Sequence, residues 1–468
     1  MYIIIVGGGG VGYELARNLS DKDQDVVVIE RNPEVARRFS ESLDVMVIED
    51  NGAKAVVLER ARIKQAKMVI AVTEVDEVNI IVAMLAKRYG VPYTVARVRD
   101  DDYFASVMLT REEMGVDLVI NPEKAAAQEI SQILHFPEAS EIEYFHRGQV
   151  MMLGIKLDAE TEITGKPLHK VPFPAGCIVV GITRPDESFL IPGGDDVIHP
   201  GDKIYLVGSA QVLKEASGLL YPEQGRLRRV VIQGGTMIGL LLAQRLEGSS
   251  RNFNVSLTDT CAGRCEELSA KLSRTLVLKG DATDLAFFYE EEMNKADAMV
   301  AITGDDRTNI LLAVLARHLG IKKIIAEVMD PQYVVIYHAL GIHSVINPRL
   351  VAASQILRYT RAEDIVSLSI LKDEKAEVME LVLHAGAKVL GKKIAKAHFP
   401  KGMLIGSIVR NNEVLVPRGD TVLMEDDHLI IFCLPEIGGQ LGRFFAQNGN
   451  GDKTGHAKFS WLRLPRSS

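Results

Sequence analysis

From Met1 onward, short apolar runs alternate with longer stretches in which apolar residues recur every three or four positions. The runs Tyr2–Val6, Val26–Glu30, Val45–Ile48, Met68–Val72, Thr94–Val98 and Leu118–Ile120 read as strands. Gly12–Leu19, Pro33–Ser42, Val75–Tyr89, Asp102–Met114 and Pro122–Leu134 between them read as amphipathic helices. Strand–helix alternation of this kind predicts a parallel sheet covered on both faces. Six strands fit the doubly wound, Rossmann-like dinucleotide fold.

After Phe136 the pattern changes. Val150–Leu157, Cys177–Thr183, Ser188–Ile191 and Lys203–Val207 read as strands, punctuated by turn signals such as Pro200-Gly201-Asp202. A short helix is expected near Pro167 and another over Ala210–Leu219, giving a small α+β lobe. The whole outline then recurs. Ala71 to Asn79 returns as Ala301 to Asn309, and Met84 to Gly90 as Val314 to Gly320, both at an offset of 230 residues. Val119 to Pro122 returns as Val345 to Pro348, and Gly165 to Leu168 as Gly391 to Ile394, at an offset of 226. A period this long is a tandem domain duplication and not a solenoid. The expected organisation is two nucleotide-binding domains, 1–136 and 226–356, each followed by a lobe, 137–222 and 357–445. A polar tail, 446–468, is expected to be flexible, with Trp461 as its one large anchor candidate.

Composition narrows the function classes. Of 468 residues, 47% are apolar, enough for large cores, and 54 basic against 62 acidic residues give a formal charge of -8. That balance argues against general nucleic-acid binding, which depends on neutralising phosphates. No apolar stretch approaches the roughly 18 residues of a membrane span, and the N-terminus has no signal-peptide pattern, so a cytoplasmic protein with no direct membrane insertion is expected. Four cysteines do not make a disulfide framework.

The candidate chemistry lies at strand ends. Gly7, Gly8, Gly9, Gly10, Val11 and Gly12 contain Gly-x-Gly-x-x-Gly between the first strand and first helix. In that context Gly7 permits the tight turn, Gly9 admits a pyrophosphate, and Gly12 lets the helix pack on the strand. The anion would sit on free N–H groups at the helix N-terminus. Glu30 ends the second strand, 18 residues after Gly12, where a carboxylate accepts both ribose hydroxyls and disfavours a 2′-phosphate. Asp50 and Asn51 are candidates to face the adenine, with a plain turn as the competing reading. Thr73 and Glu74 follow strand four near the expected phosphates. Arg97, on strand five, is a candidate phosphate ligand, with a surface ion pair as the alternative.

The second copy carries Gly234, Gly235, Thr236, Met237, Ile238 and Gly239, then Asp259 in the place of Glu30, Gly280 and Asp281, and Thr303 and Gly304. Thr236 replaces the middle glycine, which either narrows the approach of a pyrophosphate or gives it a hydroxyl donor. Glu327 reverses the charge of Arg97. The two pockets are therefore expected to differ in ligand, or the second to be empty.

Other constellations are weaker. His146, His169, His199 and Cys177 have no counterpart at the aligned places of the second copy and read as ordinary surface or core residues. Cys261 and Cys265 are four apart with no histidine near them in sequence, so no metal site is expected. Asp195-Asp196 and Asp426-Asp427 read as solvated turns. No catalytic residues are assigned and the chain reads as a non-enzyme; an NAD-dependent oxidoreductase is the alternative, and it needs an acid, base or nucleophile beside the nicotinamide.

These motifs carry a family resemblance. The duplicated unit resembles the RCK (KTN) regulatory domains of potassium channels and transporters in Gly7 to Gly12, Glu30, Val72 to Asn79, Ala96 to Val98 and Ile120 to Pro122. Gly165 to Leu168 and Pro200 to Asp202 resemble the family's C-terminal lobe. Two such pairs in tandem look like the peripheral regulatory subunit of a Trk-type potassium uptake system. The resemblance implies a homo-oligomeric, tetrameric ring of tandem chains. That ring would lie on the inner face of the membrane through an integral membrane potassium transporter subunit. It also implies NAD, NADH, ATP or ADP as ligands. The family's nucleotide positions fall on Gly7 to Val11, Glu30, Thr73, Glu74 and Arg97, and on Gly234 to Ile238, Asp259, Thr303 and Gly304, where Thr236 and Glu327 depart from the first copy.

Overall fold

The computed structural model describes residues 1–468 other than 22–23, 105–113, 158–159, 187, 221–226, 250–252, 343, 361–364, 371–375, 439–444 and 446–468. The helix expected over Asp102–Met114 lies mostly outside the described residues, and the polar tail lies wholly outside them. The chain divides into two units. One holds residues 1–134 and 227–360, the other 135–226 and 361–468.

In the first unit each half builds a six-stranded parallel sheet. The first contains β1 (Tyr2–Val6), β2 (Asp25–Glu30), β3 (Met46–Glu49), β4 (Met68–Ala71), β5 (Tyr93–Arg97) and β6 (Leu118–Ile120), in the order β3-β2-β1-β4-β5-β6. Its helices are α1 (Gly10–Ser20), α2 (Pro33–Ser42), α3 (Ala55–Arg60), α4 (Asp76–Arg88) and α5 (Pro122–His135). The order reverses between β1 and β4, and the crevice that this leaves at the strands' C-terminal ends is where such folds bind ligands. Ile3, Ile4 and Ile5 are all fully buried, as a strand covered on both faces requires. Helix α3 breaks the sequence expectation: its six residues are too few to show a helical period.

The second unit contains the two lobes. The first lobe has β7 (Ala139–Phe145), β8 (Val150–Lys156), β9 (Ile178–Thr183), β10 (Phe189–Leu190), β11 (Lys203–Gly208) and α6 (Ala210–Leu220). Its sheet order is β10-β9-β11-β8-β7. Strand β7 was not apparent in the sequence because its acidic residues dilute the apolar alternation. The helix expected near Pro167 is one 3-10 turn, Leu168–Lys170.

The second half of the first unit repeats the first: β12 (Arg229–Gln233), α7 (Met237–Glu247), β13 (Asn254–Asp259), α8 (Ala262–Lys271), β14 (Leu276–Lys279), α9 (Leu285–Glu290), β15 (Ala298–Ala301), α10 (Asp306–His318), β16 (Lys323–Glu327), α11 (Val334–Ala339), β17 (Ser344–Ile346) and α12 (Pro348–Thr360). The order β14-β13-β12-β15-β16-β17 is the same. The second lobe has β18 (Ile365–Ile370), β19 (Glu377–Val382), β20 (Met403–Arg410), β21 (Glu413–Leu415), β22 (His428–Cys433) and the short α13 (Pro435–Gly438). Its sheet order, β18-β19-β22-β20-β21, matches that of the first lobe.

The halves of the first unit exchange their last helices. Ala126, Ala127, Ile130 and Leu134 of α5 are buried among Val230, Ile232, Leu242 and Leu257 of the second copy. Ala352, Ala353 and Ile356 of α12 are buried among Ile3, Leu15, Val28 and Ile70 of the first. Duplication makes such reciprocal packing natural, because like surfaces meet. It also places the N-terminus of each exchanged helix beside the other half's glycine loop.

Acidic turns proved structural in one respect. Asp202 and Asp427 are fully buried. Arg410 grips Asp427 with two bonds of 2.7 and 2.8 Å, whereas in the first lobe Arg184 holds Asp202 through Nη1 alone and turns Nη2 to the Val197 carbonyl. The reading of Asp426-Asp427 as a solvated pair is thus corrected: Asp427 is an interior ion-pair partner.

Candidate functional site

A cavity of about 610 Å³ opens at the crevice of the first sheet. Gly7, Gly9, Gly10, Val11, Glu30, Asp50, Asn51, Thr73, Glu74 and Arg97 line it. Gly8 and Gly12 support it from behind. Gly7 has φ +108°, and a Cβ on Gly12 would collide with the Gly7 carbonyl, so both glycines are needed for the strand-to-helix turn. Gly9 differs: nothing lies within 4 Å of a Cβ placed there. The space in front of Gly9 is open, and no side chain caps α1. Its first N–H groups therefore face the cavity, where the helix dipole favours an anion.

Glu30 accepts N–H bonds from Gly8 at 2.5 Å and from Asn32 at 2.8 Å. The loop and the second strand are locked together by the carboxylate that would meet a ribose. Asp50 is held by Lys54 at 3.0 Å and Arg60 at 3.2 Å, and the adjacent Asn51 N–H holds its carboxyl below the usual range. Asn51 accepts from Ala53 N–H, which makes an Asx turn. Asp50 is thus both a turn residue and part of the cavity wall.

Arg97 is 15% exposed at its side chain, with Nη2 3.5 Å from Glu123, a long and weak pairing. Its Nε is buried without a hydrogen-bond partner. A buried guanidinium donor left unmade is costly, and an anion in the cavity would satisfy it.

Two contributors were missed at the sequence level. Asn79, fully buried, accepts from Thr73 N–H at 2.9 Å and Thr73 O–H at 2.8 Å, and donates to the carbonyls of Thr73 and Arg97 at 3.0 and 2.8 Å. It joins the ends of β4 and β5 and so fixes both putting-forward points of the cavity wall. Asn309 does the same for Thr303 and Glu327. The signal was present, since both asparagines sit at equivalent places of the repeat. The other contributor is Arg349, at the start of α12, which lines the first cavity together with Pro348. Its signal was also in the sequence: Asn121-Pro122-Glu123 and Asn347-Pro348-Arg349 invert charge just as Arg97 and Glu327 do.

The second copy is built differently at the same points. The Thr236 hydroxyl donates to the Ile302 carbonyl at 3.2 Å and accepts the Gly239 N–H at 3.3 Å. It caps α7 itself, occupying the place that an anion takes on an open helix end. Asp259 accepts from Gly235 and Cys261 N–H at 2.9 and 2.8 Å, just as Glu30 does in its own loop. Arg264 Nε donates to the Gly235 carbonyl at 2.6 Å. Glu327 is 5% exposed, and burial raises its carboxyl to about 6 despite the Gly304 N–H, with Asp306 and Glu123 adding to the effect. Thr236, Met237, Ile238 and Gly304 face the first cavity from the other half, with Glu327. Gly234, Gly235, Gly239, Asp259, Gly280, Asp281 and Thr303 do not line it. Asp281 bonds Thr283, and the Phe287 ring lies over Gly280. Cys265 donates to the Asp259 and Leu278 carbonyls, and burial raises its thiol, as for a core residue.

The TrkA-N domain family matches residues 3–122 and 230–348, and the TrkA-C domain family matches residues 152–220 and 378–446. The chain is 34% identical over 452 residues to the Trk system potassium uptake protein TrkA homolog 1 of Methanosarcina mazei, covering 95% of this chain and 100% of that one. This chain belongs to the TrkA family. The TrkA homolog of Archaeoglobus fulgidus is 34% identical over 433 residues, covering 92% and 97% of the two chains. TrkA of Azorhizobium caulinodans is 31% identical over 443 residues, covering 93% and 96%. The fold is shared with the RCK domain of GsuK, at a TM-score of 0.58 and 21% identity, with 95% of each chain covered. The GsuK channel bound to NAD gives a TM-score of 0.59 at 20% identity, covering 95% of this chain and 79% of that one. Among the described residues, no helix is long and apolar enough to cross a membrane.

Proposed function

We propose that this TrkA-family chain is the cytoplasmic nucleotide-sensing subunit of a membrane potassium transporter, assembled as a ring that gates it. The observation that carries this reading is the open N-terminus of α1, with free space at Gly9 and the buried, unpaired Arg97 Nε beside it. Glu30 sets the ribose end and Arg97 the phosphate end, so the ligand is an adenosine bearing at least two phosphates. NAD and NADH meet that description, as do ADP and ATP. The GsuK channel, which has the same fold, is known bound to NAD. A ligand shifts such a ring only through different affinities for its conformations. Nucleotides of different phosphate charge, read by Arg97 and the helix end, supply that difference.

Titration calorimetry of the full chain with NADH, NAD, ATP and ADP tests the reading, alongside Glu30→Ala and Asp259→Ala. Saturable binding lost in Glu30→Ala is expected. No binding by any of the four would reduce the chain to a scaffold. Equal affinity in the open and closed assemblies would end the gating mechanism.

A further inference from the structure

In the second unit the two lobes share an apolar core that includes Phe145, Val150, Val378, Ile430 and Phe432. Along β19 and β22 alternate residues point to one face, so Glu380 follows Val378 and His428 precedes Ile430 on the side facing the first lobe. His146 comes from the first lobe, in the 3-10 turn after β7. Its Nδ1 lies 3.1 Å from Glu380 Oε1, and its backbone N–H donates to Glu380 Oε2 at 3.2 Å. The His146 and His428 rings meet edge to face with centroids 4.4 Å apart. One donor atom from each of the three residues lies within 4.8 Å of the others.

We propose that His146, Glu380 and His428 form a binding site for a divalent transition-metal ion of the zinc class, bridging the two lobes. A buried carboxylate in an apolar core needs compensating positive charge. One imidazole would suffice for an ion pair, and here two converge. Two neutral imidazole nitrogens and a carboxylate oxygen are the donors preferred by zinc, cobalt or nickel, whereas calcium and magnesium take oxygens. The His146–Glu380 separation of 3.1 Å is close to the donor–donor edge of about 3.3 Å in a tetrahedron with bonds of about 2.0–2.1 Å. Small rotations of the His428 ring close the third edge. His146 and His428 are partly exposed, which gives the ion its entry path, while Glu380 is 4% exposed at its side chain. His146 also holds φ +45°, in the left-handed region that non-glycine residues adopt uncommonly. The fourth position falls to water. Because one ligand comes from the first lobe and two from the second, the ion clasps the lobes together. The sequence reading of His146 as an ordinary residue failed because its partners are 234 and 282 residues away.

Cobalt binding to the chelator-treated full chain tests this. One Co²⁺ per chain with visible d–d absorption is expected, displaced by one equivalent of Zn²⁺ and not by millimolar Mg²⁺ or Ca²⁺. Glu380→Gln and His428→Gln should abolish the band, while a Cys261→Ser/Cys265→Ser variant keeps it. Absence of the band, its survival in both Gln variants, or its loss with the two thiols would overturn the proposal. X-ray absorption of the zinc-loaded wild-type chain needs no variant: a nitrogen and oxygen shell with imidazole scattering is expected, and a sulfur shell would sink the site.

Discussion

The guanidinium of Arg349 lies against Gly10 of the other half, so close that a Cβ on Gly10 would stand 2.7 Å from Nε and 2.9 Å from Cζ. An arginine on the second copy's exchanged helix thus closes the glycine-loop end of the first copy's cavity, which Arg97 also lines. Arg349→Ala should weaken ADP, ATP and NADH binding by roughly tenfold, the effect of one charge-assisted bond, about 1.4 kcal/mol. Adenosine affinity should be unchanged. Calorimetry of the four ligands checks this, and an equal loss for adenosine would place Arg349 elsewhere in the mechanism.

Gly9 and Gly12 separate binding from folding. A methyl on Gly9 meets nothing within 4 Å, and the residue has φ -64°, which any residue adopts. Gly9→Ala should leave the melting temperature within about 2 °C of wild type while reducing nucleotide affinity at least about tenfold. Gly12→Ala pushes a methyl into the Gly7 carbonyl and should cost several kcal/mol, on the order of the largest single-substitution effects. Thermal melts with and without ADP distinguish the two.

Asn79 makes four hydrogen bonds while fully buried. Asn79→Ala should destabilise the first unit by about 2–4 kcal/mol, because the Thr73 N–H and the Arg97 carbonyl lose their partner out of reach of water. Asn79→Asp should restore the two accepting bonds and not the two donating ones, giving an intermediate loss in urea melts.

Two residues set the second copy's loop apart from the first. Thr236 caps α7, and Glu327 adds negative charge where the first copy has Arg97. Thr236→Gly with Glu327→Gln, made in the Glu30→Ala background, should create a new ADP binding event that Asp259→Ala removes. A flat calorimetric trace would mean that Arg264, bonded to Gly235, also blocks the loop.

Glu327 also sets a pH dependence. Its folded carboxyl is raised to about 6 from an ordinary 4.5, so the folded chain binds this proton more tightly than the unfolded chain does. Stability from the protonated form is complete below about pH 4.5 and is lost as pH rises through about 6. Glu327→Gln should therefore stabilise the first unit by up to about 2 kcal/mol at pH 7.5 and have little effect near pH 4.5. Denaturant melts at the two pH values read the difference, and a pH-independent effect would show that Glu327 is not the titrating group.

The sequence by itself determined the duplication, the parallel sheets and the first cavity's loop. These rest on local signals: period-two and helical periodicities, glycines at a strand-to-helix turn, and an acid at the next strand end. Short or charged elements such as α3 and β7 escaped because a few residues carry no measurable period. Tertiary structure alone decided which halves exchange α5 and α12, and therefore that Arg349 reaches Gly10. It also decided that Asn79 joins two strand ends and that His146 meets Glu380 and His428. Each of these depends on packing between segments far apart in the chain, where burial of apolar faces selects the partner, and no local pattern encodes that choice.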